Sequence, residues 1–172
     1  MIGNLENFLK TANTLLATLN EYAAVTGRLA EVNLFNDDLE YVLDDIGQII
    51  DEREDLKERV EIAQEAMLAS IEKLDGEDGE MVRCTFMNEQ SGETEEVAYS
   101  ITGDKRLVRD VIFKLLGVQK DILEKDAIVI ENLTSRRDEV RGELKNLQED
   151  KKKIDFLNTM QPEQTQSQEF NV

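Results

Sequence analysis

From Leu39 to Leu74 the chain repeats steps of three and four: Leu39, Val42, Ile46, Ile49, Arg53, Leu56, Val60, Ala63, Met67, Ser70 and Leu74. Such a heptad seam specifies a long amphipathic helix whose apolar thread faces a partner helix. Two seam positions, Arg53 and Ser70, are polar. Within the seam, "IIDEREDLKERVEIAQ" (Ile49 to Gln64) wraps the thread in six acidic side chains, which read as its solvated face. A helix over 38–74 spans roughly 55 Å at 1.5 Å per residue. It needs covering along much of that length.

Two further segments share the helical period. In "NLENFLKTANTLLATLNEYAAVTGRLAEV", Leu5, Leu9, Ala12, Leu16, Leu19, Ala23 and Ala30 form one stripe, widened by Phe8, Leu15, Tyr22 and Leu29. That predicts a helix over 4–32. "NLFND" breaks the pattern, and Asp37 with Glu40 is placed as a capping box for the next helix. A third helix is predicted over 105–158, capped by Asp104. Its stripe is Val108, Val111, Leu115, Ile122, Val129, Leu133, Val140, Leu144, Leu147, Ile154 and Leu157, with polar entries at Asp126 and Arg136. The single proline, Pro162, lies beyond all three. The polar, unpatterned residues 161–172 are expected to form a disordered tail.

Residues 75–103 change character. "DGEDGE" is expected to stop the second helix, with Gly76 and Gly79 suited to a cap and turn. "MVRCTFM" and "EEVAYSI" flank a loop containing Gly92, which reads as a small β-hairpin at about 80–101 or as an unstructured connector. Cys84 would then be a half-buried strand residue. The expected fold class is all-α: one elongated domain over 1–160, an antiparallel helical hairpin or three-helix bundle, with that insert.

Charge narrows the partners. The formal net charge is −18 over 172 residues, so the surface repels nucleic-acid phosphates and anionic lipid. No apolar run approaches the ~20 residues that span a bilayer, and "MIGNLENFLK" does not read as a signal peptide. A cytoplasmic protein without stable membrane insertion is expected. Residues 37–80 hold 17 acidic and 4 basic side chains, whereas 105–160 hold 13 basic and 11 acidic. The second helix is therefore expected to lie antiparallel beside the more basic third.

Chemistry finds little footing. The chain has no histidine, which excludes His-dependent triads, histidine metal sites and the Glu-x-x-His pattern of carboxylate-bridged bundles. There is no phosphate-binding loop motif. "GEDGE" lacks the ligand spacing of an EF-hand and reads as a turn. A non-enzyme with no cofactor and no metal is expected.

One phrase exceeds the needs of a helical pair. "DAIVIENL" places Ile128, Val129 and Ile130 in succession, about 100° apart around a helix. No single seam buries all three. Either the first helix covers a second side, or part of the phrase is open to a partner.

The stretches "LDDIGQIIDEREDLKERV" (Leu43 to Val60) and "VQKDILEKDAIVIENLTSRRDEVRGELKNLQEDKKKIDFL" (Val118 to Leu157), preceded by the amphipathic first helix, resemble bacterial flagellar type III export chaperones of the FliT/FlgN kind. The insert at 75–103 and the Gln-rich tail depart from that pattern. The resemblance implies a cytosolic chaperone that binds the helical end of a filament-cap or hook-associated client, prevents early assembly and delivers it to the export apparatus. Under that reading the client strip is expected at Ile122, Ile128, Ile130, Leu133, Val140 and Leu144, with Ile46 and Ile50 opposite. A competing reading is a coiled-coil adaptor acting by self-association, and a homodimer is compatible with either.

Overall fold

The heptad seam folds as a long helix over 39–72. The computed structural model describes residues 2–34, 39–91 and 103–160, and the protein is all-α. Among the described residues four helices follow in order: α1 (Ile2–Glu31), α2 (Leu39–Glu72), α3 (Gly76–Ser91) and α4 (Gly103–Met160). The chain divides into two units, 1–131 and 132–172. α4 contributes to both.

In the first unit the predicted stripes meet. Phe8, Ala12, Leu15 and Leu19 of α1 pack with Ala63 and Met67 of α2 and with Val108, Ile112 and Leu115 of α4. A smaller cluster joins Val25 of α1 to Ile49 and Leu56 of α2. Fully burying each of these larger side chains contributes about 1.5–3 kcal/mol. That gain offsets the ordering of helices whose other faces are wet.

The direction of packing is fixed by polar contacts between α1 and α2. Asn4 donates to the Lys73 carbonyl (3.0 Å), the Thr11 and Ser70 hydroxyls meet at 3.0 Å, and Arg59 pairs with Glu21 at 2.9 Å. As numbers rise on α1 they fall on α2, so the two run antiparallel. Asn4 also supplies a donor to one of the carbonyls that the end of α2 leaves open. α1 buries two threonines, Thr18 and Thr26, each donating to the carbonyl four residues back. A buried hydroxyl satisfied in this way avoids the cost of an unpaired polar group.

The insert differs from the expected hairpin. Residues 76–91 form α3, so "MVRCTFM" is helical; "EEVAYSI" lies outside the described residues. Val82, Cys84 and Phe86 alternate as a strand would, yet Val82 and Phe86 also stand four apart and share a helical face. Val82 is buried in the main core and Phe86 packs against it. That tertiary cover decides in favour of helix. Cys84 is correspondingly exposed rather than half-buried.

The glycines of "DGEDGE" have separate jobs. Gly76 takes φ 60° at the join into α3, a conformation that costs an L side chain roughly 1–2 kcal/mol. Gly79 is buried against the chain before it. A Cβ there would stand 2.5 Å from the Leu74 carbonyl oxygen.

Two expected caps resolve differently. α4 already includes Gly103 and Asp104, so Asp104 lies inside the helix instead of preceding it. Asp37 and the tail 161–172 fall outside the described residues.

Candidate functional site

Three polar groups converge in the first unit. Arg53, at a polar seam position of α2, pairs with Asp126 of α4, and its guanidinium carbon lies 4.9 Å from the centre of the Tyr22 ring on α1. The two charged side chains are 23% and 31% exposed. Arg53 Nε is buried and lacks a hydrogen-bond partner. Beside this group Lys125 donates to the Ala23 carbonyl (3.2 Å) and to Asp121 (2.7 Å). The cluster ties three helices together at one level. It offers no nucleophile beside a base, and its cation is already committed to a carboxylate and an aromatic face.

The sense of this pair corrects the charge expectation. An acidic α2 was expected to meet a basic α4, but α2 supplies the cation and α4 the anion. The other interhelix ion pairs described, Arg28–Glu52 at 2.6 Å and Arg59–Glu21 at 2.9 Å, join α1 to α2. The net charge of α2 is carried mainly by its solvated face. Of its three cations, Arg53 and Arg59 reach neighbouring helices, and Lys57 pairs within α2 with Glu61.

An open cleft of about 320 Å³ lies at the α1–α2 turn, among Arg28, Glu31, Asn33, Tyr41 and Asp45. Its charges are of both signs, and Arg28 is engaged by Glu52. No set of charges there converges on a ligand.

The apolar rows of α4 are more informative. Val108, Leu115, Ile122 and Val129 recur every seven residues and are all buried in the first unit. In the second unit another row recurs every seven residues: Leu133, Val140, Leu147 and Ile154. These are 48%, 37%, 65% and 57% exposed. Leu144 and Leu157 flank the row and are exposed as well. The pattern of a packed helix persists, but without the burial.

The expected site residues therefore separate. Ile122 is buried in the main core of the first unit, which also holds Leu115 and Ala63. Ile46 is half-buried and Ile50 exposed on α2. In "DAIVIENL" only Val129 is buried, while Ile128 and Ile130 are exposed; the first helix does not cover both sides. Leu133, Val140 and Leu144 belong to the uncovered part of α4. Leu147 and Ile154 complete the row and were not among the expected contacts. The seven-residue spacing from Leu133 is the signal that would have found them.

Among the described residues no helix is long and apolar enough to cross a membrane. No family model, no curated protein and no solved structure matches the chain. The functional reading rests on this surface.

Proposed function

We propose that the protein is a non-enzymatic holder of helical protein segments, and that the uncovered row on α4 is where the client lies. The observation that carries this reading is the exposed repeat Leu133, Val140, Leu147 and Ile154. An amphipathic helix gains most of its stability by packing its apolar face, and a seven-residue apolar repeat is the shape that another helix fits. The resemblance to flagellar export chaperones gives the holder a task. It would keep the helical end of a filament-cap or hook-associated subunit from assembling and pass it to the export apparatus in the cytoplasm. The large negative charge supports that role by keeping a protein with an apolar strip dispersed.

The same repeat also favours a second reading, a coiled-coil adaptor that self-associates. Charge argues against its simplest form. A parallel, in-register pair would set Arg136, Glu143 and Asp150 each opposite its own copy, placing like charges along the seam.

The test is affinity co-purification from the source organism with the wild type and with Val140→Glu/Leu147→Glu. Retention of a flagellar export subunit, lost in the variant while circular dichroism is unchanged, supports the holder. Recovery of the protein with itself alone supports the adaptor.

A further inference from the structure

The row on α4 has two unlike edges, and the difference specifies its occupant. At about 100° per residue, side chains four or one beyond a row member lie on one side of it, and those three or six beyond lie on the other. The first side carries Arg137, Arg141 and Lys151 against the single acid Asp155. The second carries Glu139, Glu143 and Asp150 against Arg136 and Lys153.

The edges also differ in how their charges are spent. On the acidic side Glu139 pairs with Arg136 at 2.5 Å and Asp150 with Lys153 at 3.1 Å, so much of that edge is neutralised within the helix. On the basic side Arg137 reaches only its neighbour Asp138. Among the described residues, neither Arg141 nor Lys151 makes an ion pair. Glu143 on the acidic side makes none either, so the basic edge keeps two unpaired cations, Arg141 and Lys151, against one unpaired acid on the other edge, on a chain whose net charge is −18.

We infer that the row takes an amphipathic helix of another protein whose apolar stripe is bordered by aspartate or glutamate on the side that meets Arg137, Arg141 and Lys151. This rests on the holder reading and adds the client's charge pattern to it. Apolar contact supplies affinity. The basic edge selects the partner and its orientation, because like charges set against it are penalised.

The test uses the full-length protein and two synthetic helical peptides with the same heptad leucines. One carries glutamate at the positions flanking the stripe, the other lysine. Exposed pairs are individually weak, but replacing three attractions by three repulsions is expected to favour the glutamate peptide by about tenfold at low salt. The preference should shrink as salt screens it. Arg137→Glu/Arg141→Glu/Lys151→Glu, all on an exposed face, should retain helicity by circular dichroism and reverse the preference.

Equal binding of both peptides, abolished by Val140→Glu/Leu147→Glu, would overturn the charge assignment and leave the holder reading standing. Tighter binding of the lysine peptide would overturn the assignment too. Binding of neither peptide would overturn both. A preference for the glutamate peptide that Val140→Glu/Leu147→Glu leaves intact would place its binding elsewhere and overturn the assignment.

Discussion

Arg53 of α2 and Asp126 of α4, 73 positions apart in the chain, pair in the first unit, with the Arg53 guanidinium over the ring of Tyr22. Each looks like a flaw in its own apolar stripe. Together they cancel. Neither has to carry a charge alone into a half-buried seam, where an unpaired ion costs several kcal/mol.

Removing one member should therefore cost more than removing both. Asp126→Ala leaves the Arg53 guanidinium without its carboxylate while its Nε is already unpartnered, and is expected to cost about 1–3 kcal/mol. Arg53→Leu/Asp126→Leu extends the apolar seam and is expected to lie near wild type. Urea denaturation of the two single variants and the double variant gives the coupling. Strict additivity would show that the pair is idle.

Burial separates the apolar residues sharply. Phe8 is fully buried between helices, and Phe8→Ala is expected to cost about 3–5 kcal/mol. Leu147→Ala, at an exposed position with a similar place in its helix's repeat, should change stability by no more than about 0.5 kcal/mol. Thermal melts of both variants check this. A Leu147→Ala loss as large as that of Phe8→Ala would mean that the row is already covered in the isolated protein.

Two glycines should respond to alanine with opposite sign. At Gly79 the added methyl would collide with the Leu74 carbonyl, which is backbone and yields little, so Gly79→Ala is expected to destabilise by about 1–3 kcal/mol. At Gly142 nothing lies within 4 Å of the new atom. Gly142→Ala should raise helix stability by about 0.5–1 kcal/mol. Helicity and denaturation midpoints of the two variants decide it.

The sequence was most legible where one period governs. In α2, Val42, Ile49, Leu56, Ala63, Met67 and Ser70 are all buried, because steps of three and four can point to only one face. The hairpin reading failed because seven residues with apolar side chains at alternate positions fit either period. Packing of Val82 into the core decided between them. The sense of the Arg53–Asp126 pair was hidden in the net charges, since a total does not say which charges face inward. For the site, periodicity placed the apolar row on α4 but could not tell covered from uncovered. Ile122 and Leu133 belong to the same helical pattern, and only the first is buried.

The central claim is that the row from Leu133 to Ile154 is the face on which another protein's helix lies. It is tested most directly by placing a photo-crosslinking amino acid at Val140 or Leu147 in the source organism, with Glu149 on a different face of the same helix as control. The account predicts a crosslinked product from Val140 and Leu147, absent from Glu149, in which mass spectrometry finds an exported flagellar subunit joined through an amphipathic helix with an acidic edge. Equal products from all three positions, or products in which the protein is joined only to itself, would contradict it.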